Sequence, residues 1–167
     1  MYYLEVLKSL SDNHIRHLLV GGLSVNLHGV PRFTQDIDII IDRSEVNVLK
    51  LVEVLKGLDY TPALPNNPVE LADDSKVNEW ITKRNLKAFS FRHAKDQQKV
   101  VDILLVYPLN FEEAFKKRMV KKVQDFEISY VALDDLIVMK EYSARPQDLS
   151  DVEMLKQVKE LSESYNA

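Results

Sequence analysis

The sequence predicts an α+β fold for its 167 residues. Residues 36–42 alternate acidic and apolar side chains with the period of a β-strand. Residues 87–92 and 99–106 form two further candidate strands, and the polar stretch 93–98 between them can close a hairpin. Helical patterns are scattered among the strands and do not alternate with them regularly, which favours α+β over repeated βαβ units.

The first elements lead to a glycine turn. Residues 2–10 carry apolar side chains at helical spacing and predict the first helix. The apolar run 17–20 predicts a buried strand that ends at Gly21-Gly22. A second helical pattern covers residues 23–28 and stops at a glycine, a residue suited to a helix end, and residues 30–35 form a loop.

The clearest strand comes next. Alternation within residues 36–42 places Asp36 and Asp38 on one face and three isoleucines on the other. The string Asp42-Arg43-Ser44-Glu45 resembles a capping box, and residues 46–58 continue as an amphipathic helix. Residues 61–76 contain three prolines and are predicted to be an irregular, poorly ordered stretch.

The rest of the chain supplies one more alternating segment and three helices. Residues 111–118 are predicted to be helical, and residues 120–131 alternate around Asp125. Two helices follow at 133–142 and 147–161. We expect one domain over residues 1–167, with these C-terminal helices, about 133–161, packed on it.

Composition excludes several classes of protein. The net charge of −4 argues against a general nucleic-acid coat, which is normally basic. The chain has no cysteine, so disulfides and thiolate metal sites are excluded. No basic segment with an apolar run opens the sequence, and no stretch reaches the roughly 20 apolar residues that cross a bilayer. We therefore expect a cytoplasmic protein without a membrane partner.

Three aspartates form the candidate catalytic group. Asp36 and Asp38 lie two residues apart on a strand, and Asp102 interrupts an apolar run formed by residues 100–104. Carboxylates that share a buried face repel each other and lose hydration unless a cation binds them. A third carboxylate on an adjacent strand lets two metal ions sit about 3.5–4 Å apart for displacement at phosphorus. An exposed strand face is the alternative explanation for Asp36 and Asp38.

The glycine turn is a candidate phosphate site. Gly21 and Gly22 lie between a strand and a helix, where free backbone N–H groups can bind phosphate. Ser24 can add a hydroxyl group. A plain strand-to-helix turn is the alternative, since the string is neither a P-loop nor a dinucleotide fingerprint.

These motifs resemble a known superfamily. Gly21-Gly22, a helix-length spacer and Asp36-Ile37-Asp38 resemble the motif of polymerase-β-type nucleotidyltransferases. The longer string, from Val20 through Gly29 and on to Arg32, Thr34 and Ile39, is similar to the AbiEii/MenT-like toxin branch of that superfamily. Residues 140–151 resemble a later Lys…Arg…Asp…Asp element of the same branch.

The resemblance implies a nucleotidyltransferase-like mixed β-sheet flanked by helices, and it assigns roles to individual residues. It implies one or two Mg²⁺ or Mn²⁺ ions, with two expected, held by the catalytic residues Asp36, Asp38 and Asp102. The implied nucleotide-binding residues are Gly21, Gly22, Ser24, Arg32, Thr34 and Lys140. The implied supporting residues are Arg145, Asp148 and Asp151. Surface ion pairs are the alternative explanation for Lys140 and Arg145, and a surface position is the alternative for Arg32.

The implied activity is transfer of a nucleoside monophosphate from a nucleoside triphosphate to a hydroxyl group. The acceptor would be RNA, such as the 3′ end of tRNA, or a protein, and the chain would act in a toxin–antitoxin system with a cognate toxin or antitoxin partner. Many toxins of this branch carry a large extra helical domain that 167 residues do not accommodate. The alternative is an inactive relative that binds a nucleotide or a partner. Two basic clusters, at residues 116–122 and 83–87, are either solvated faces or contacts for RNA phosphates.

Overall fold

The computed structural model describes residues 2–167, which form helices on both faces of a β-sheet. The strands are β1 (His17–Val20), β2 (Ile37–Ile41), β3 (Tyr60–Pro62), β4 (Ala88–His93), β5 (Val100–Leu104), β6 (Met119–Val123) and β7 (Phe126–Tyr130). The helices are α1 (Tyr2–Asp12), α2 (Gly21–Leu27), α3 (Glu45–Gly57), α4 (Asp74–Arg84), α5 (Phe111–Lys116), α6 (Leu133–Ser143) and α7 (Pro146–Tyr165). A 3₁₀ helix spans Pro68–Ala72.

The seven strands form one mixed sheet in the order β3-β4-β5-β2-β1-β7-β6. β2 runs parallel to β5, and β1 runs parallel to β7. The remaining neighbours are antiparallel, including the hairpin of β4 and β5 that the sequence predicted. The α+β prediction with a nucleotidyltransferase-like mixed sheet is therefore confirmed.

Alternation along β2 decides which face of the sheet can carry the site. Ile37, Ile39 and Ile41 pack into a core with α1 and α3. Ile40 packs into a second core together with Leu136 of α6 and Leu155 of α7. Since residues two apart share a face, the side chain of residue 38 lies on the face that α6 and α7 cover.

The capping box predicted at residues 42–45 is wrong. Ser44 occupies the N-cap of α3 but makes no side-chain capping bond. Its hydroxyl instead donates to the Asp42 carboxylate at 3.3 Å, and that carboxylate also accepts from the backbone N–H of Ser44 at 3.0 Å. Asn47 donates to the backbone carbonyl of Asp42 at 2.7 Å, which holds the start of the helix by a different local network.

The irregular stretch predicted at residues 61–76 is only partly correct: residues 63–67 have no helix or strand, but the flanking residues have regular structure, and α4 was not predicted. β3 extends to Pro62 and pairs with β4. The side chain of Asn67 accepts from the N–H of Val69 and so caps the 3₁₀ helix. Asp73 accepts from two N–H groups of the first turn of α4 and caps that helix. Side-chain capping by Asn67 and Asp73 therefore gives residues 68–76 regular structure.

Candidate active site

Asp38 and Asp102 face each other across neighbouring strands. They are register partners on the parallel strands β2 and β5, whose backbones lie about 4.8 Å apart. Burial, together with the negative charges of Asp102 and Asp36, raises the pKa of Asp38 to about 6. A partly buried pair of mutually repelling carboxylates favours a bound cation.

Ser90 fixes the orientation of Asp102. It is the register partner of Asp102 on β4, and its hydroxyl donates a hydrogen bond to Oδ1 of that carboxylate. The pKa of Asp102 is raised chiefly by burial, while the hydrogen bond from Ser90 opposes the rise. The sequence analysis did not single out Ser90, because the hydrogen-bonding register of the hairpin cannot be read from the strand pattern alone.

Asp36 stands apart from the other two aspartates. It is exposed and lies one residue before β2, so it does not share the strand geometry that the sequence predicted. Its charge nevertheless raises the pKa values of Asp38 and Asp102. Across residues 2–167, no three histidine, aspartate or glutamate side chains are grouped so that they could hold a metal ion. The arrangement is a pair of aspartates with a third nearby.

The two glycines of the turn are required by close contacts. Gly21 has a φ of +65°, and a Cβ atom added there would lie 2.8 Å from Cβ and Cγ of Asp38. A Cβ atom added at Gly22 would lie 2.7 Å from Cβ of Thr34. The predicted residues Gly21 and Gly22 therefore touch an aspartate of the site and the loop before β2. Ser24 is fully buried in α2, so its contact with a nucleotide stays a prediction.

The predicted cations and supporting aspartates form one ionic network. The ammonium group of Lys140 lies 3.1 Å from Asp148 and 3.0 Å from Asp151. Arg32 pairs with Asp151 at 2.6 Å, and Arg145 pairs with Asp148 at 2.7 Å. Lys140, Asp148 and Asp151 are 5%, 0% and 3% exposed. The alternative of surface ion pairs is thus wrong for Lys140: the lysine does form ion pairs with Asp148 and Asp151, but these pairs are buried.

The network acts electrostatically on the aspartate pair. The positive charges of Lys140 and Arg145 oppose the rise in the pKa of Asp38. Burial of Asp148 opposes its ionisation, but hydrogen bonds from Arg145, Ser143 and Lys140 prevail and hold the pKa of that carboxyl well below its usual range. The Arg145 side chain remains 74% exposed while it holds Asp148, so its guanidinium can also reach a ligand.

A cleft of about 520 Å³ joins these groups. Six of the predicted residues line it, namely Gly21, Asp38, Asp102, Lys140, Arg145 and Asp148. Sequence analysis gave no site role to Tyr107, Leu136, Met139 or Tyr142, which also line it, and placed Lys87 only in a basic cluster. Arg32 and Thr34 lie beside Gly22 and do not line the cleft.

The basic cluster at residues 116–122 does not form one positive surface. Lys117 pairs with Asp135 at 2.9 Å, and the Arg118 guanidinium lies over the ring of Phe115 at 4.0 Å. Lys121 and Lys122 are successive residues of β6 and so point to opposite faces. The alternative of solvated or locally paired charges therefore fits this cluster better than a track for RNA.

In the described part of the chain, no helix is both long enough and apolar enough to cross a membrane.

Comparisons with known proteins identify the family of the chain and proteins of similar fold. Residues 3–164 match the protein family described as a nucleotidyltransferase of unknown function (DUF6036). No curated protein matches the chain in sequence. The lincosamide antibiotic adenylyltransferase LnuA, solved with lincomycin, has a similar fold, with a TM-score of 0.59, 17% identity and 94% of each chain covered. ANT(2″)-Ia, solved with adenylyl-2″-tobramycin, has a TM-score of 0.53 and 9% identity over 99% of this chain and 97% of its own.

Proposed function

Because the chain belongs to the family of nucleotidyltransferases of unknown function (DUF6036), we propose that it transfers a nucleoside monophosphate from a nucleoside triphosphate to a hydroxyl group. The observation that carries the proposal is the partly buried pair Asp38 and Asp102, in register at the wall of a cleft that Gly21 also lines. LnuA is an adenylyltransferase and ANT(2″)-Ia was solved with an adenylylated tobramycin, and both support the same reaction class.

A divalent cation fits the aspartate pair. Two partly buried carboxylates, whose pKa values are raised by burial and by neighbouring negative charge, are an oxygen donor set of the kind that Mg²⁺ or Mn²⁺ accepts. Asp38 and Asp102 would hold the ion, and Asp36 is proposed as the third ligand when two ions bind. The bound ion would supply positive charge against the charge that develops on the transferred phosphoryl group.

The chain's own groups would handle the proton and the phosphates. The acceptor oxygen attacks the α-phosphorus, the bond to the bridging oxygen breaks, and pyrophosphate leaves. Asp102, oriented by Ser90, would take the proton of the acceptor hydroxyl. The backbone of Gly21 and Gly22 would contact phosphate oxygens, and Arg145, together with the charge of Lys140, would offset their negative charge. Ser24, Arg32 and Thr34 are proposed as further nucleotide contacts.

For the acceptor, we propose a hydroxyl group of RNA, such as the 3′ end of tRNA, or of a protein in a toxin–antitoxin pair. The support is the resemblance of residues 20–39 and 140–151 to the AbiEii/MenT-like branch. LnuA was solved with lincomycin and ANT(2″)-Ia with adenylyl-2″-tobramycin, which adds small hydroxyl compounds to the acceptors that need testing.

The test is transfer of label from α-³²P-labelled nucleoside triphosphates, with Mg²⁺ or Mn²⁺, to tRNA, to lysate proteins and to small hydroxyl compounds. Asp38→Asn should abolish transfer and weaken Mn²⁺ binding measured by calorimetry. Asp59→Asn is the matched control, because Asp59 is exposed with a φ of +63°, a conformation that asparagine adopts readily.

Each outcome decides between the candidates. Label on RNA, on protein or on a small molecule supports the activity and identifies the acceptor. Nucleotide binding without transfer to any acceptor, unchanged by Asp38→Asn, would refute the activity and favour an inactive binding relative.

A further inference from the structure

The cleft carries a cation that the proposed chemistry leaves unused. Lys87 immediately precedes β4, and its backbone carbonyl accepts from the N–H of Leu105 at 2.9 Å, which fixes the residue beside the end of β5. Its side chain is exposed and lines the cleft together with Asp102. Among the described residues 2–167, no hydrogen bond and no ion pair engages the ammonium group of Lys87, so its charge is available to a ligand.

Lys87 lies in the part of the cleft next to Asp102, the residue proposed to activate the acceptor. Ser90, the register partner of Asp102, is three residues further along the chain, so the backbone of Lys87 lies about 10 Å from that partner. Between them, Ala88 pairs with Leu104 and presents only a methyl group. The floor of this part of the cleft is therefore open and apolar, with the cation at its far end.

The remaining charges of the cleft do not suit a positively charged acceptor. Its wall contains three carboxylates, Asp38, Asp102 and Asp148. Asp148 is already held by Lys140 and Arg145 at 3.1 Å and 2.7 Å. The other two are the residues proposed to hold metal ions. No carboxylate of the cleft is left for an amino group of an acceptor.

We propose that Lys87 is a specificity-determining residue that binds a phosphate or carboxylate group of the acceptor, close to the hydroxyl that Asp102 activates. The inference rests on the proposed function, because that function places the acceptor beside Asp102. It predicts an anionic hydroxyl compound as the acceptor. The anion comes either from the terminal phosphodiester of an RNA 3′ end or from a small phosphorylated or carboxylated molecule.

The test compares Lys87→Met with wild type, and Lys56→Met is the matched control because Lys56 is exposed on α3 and does not line the cleft. Binding is measured with Mg²⁺ and a non-hydrolysable nucleoside triphosphate analogue present. The probes are an RNA hexanucleotide with a 3′ hydroxyl, a panel of sugar phosphates and hydroxy acids, their uncharged counterparts, and tobramycin. Transfer of label to each probe is measured in parallel.

We expect at least one anionic probe to bind wild type about tenfold or more tightly than its uncharged counterpart. Lys87→Met should remove this difference, raise the KM for that acceptor by a similar factor and leave kcat and the KM for the nucleotide unchanged. RNA as the preferred probe identifies the phosphodiester, and a sugar phosphate or hydroxy acid identifies a small molecule. Lys56→Met should behave as wild type.

The two proposals fail in different ways. Transfer that is fastest to uncharged probes or to tobramycin, or selectivity that Lys87→Met leaves intact, overturns the role of Lys87 while the transferase activity stands. Absence of binding by every anionic probe also overturns it. Binding that depends on Lys87, with no label transferred to any probe, supports the anion site and refutes the proposed activity.

Discussion

Removal of the Lys140 charge should destabilise the protein far more than removal of an exposed lysine. Lys140→Met keeps an unbranched buried side chain, one atom shorter, but deletes an ammonium group that lies 3.0–3.1 Å from two buried carboxylates. Breaking a buried ion pair costs about 3–5 kcal/mol of unfolding free energy, because a charge remains buried without compensation. Asp148 keeps Arg145 and Asp151 keeps Arg32, so we expect the lower end, about 3 kcal/mol.

The assay is urea unfolding at pH 7, with two comparisons. Lys156→Met removes a lysine whose contact with Glu141 is 2.8 Å long but exposed, and it should cost less than about 1 kcal/mol. The double variant Lys140→Met/Asp151→Asn removes both charges of one pair, so its cost should be smaller than the sum of the single costs by about 1 kcal/mol or more. A Lys140→Met cost equal to that of Lys156→Met, or additive costs in the double variant, would refute the view that the network is a coupled, buried unit.

Three further outcomes are expected. Gly21→Ala places a Cβ atom against Asp38 at a φ of +65° and should lower transferase activity by about 100-fold or more. Gly57→Ala is the control and should leave activity unchanged, because its added Cβ atom meets nothing within 4 Å. Equal activities of the two variants would count against the close contact. Ser90→Ala should lower kcat with less than about 2 kcal/mol lost from the unfolding free energy, and unchanged kcat would contradict its orienting role. Burial lowers the pKa of His17, so the unfolded chain binds a proton that the folded chain does not. The unfolding free energy should therefore fall as the pH drops below about 6.5, by up to about 1.4 kcal/mol per pH unit. In urea unfolding measured from pH 7.5 to 5, His17→Asn should lose less stability than wild type, and identical slopes would contradict the role of His17.

Strand periodicity predicted the part of the site that depends on local sequence. The alternation around Asp38 predicted β2 and the face of its carboxylate, and the apolar run around Asp102 predicted a strand with an acid in a functional position. Both signals are local, because period-2 alternation reports the sides of a strand. Asp36 lies outside β2, since alternation does not determine where a strand starts.

Contacts between distant segments could not be predicted in the same way. Ser90 and Lys87 acquire their positions from the register of β4 on β5, which the loop composition does not determine. The burial of Lys140 depends on how α6 and α7 pack against the sheet, and the sequence showed only charges at helical spacing. The capping-box prediction failed because Asp42 competes for the Ser44 hydroxyl, a choice that residue types alone leave open.

The ion pair between Arg32 and Asp151 joins residues 119 positions apart in the chain. A nascent polypeptide emerges from the ribosome with its glycine turn, Asp36 and Asp38 long before α7 exists. Until α7 is synthesised, Arg32 and Lys140 lack their shared counter-ion, and the cleft lacks the wall that carries Asp148. A chain that lacks α7 should therefore be inactive as a transferase and poorly folded, so that activity starts only after α7 has packed against the sheet.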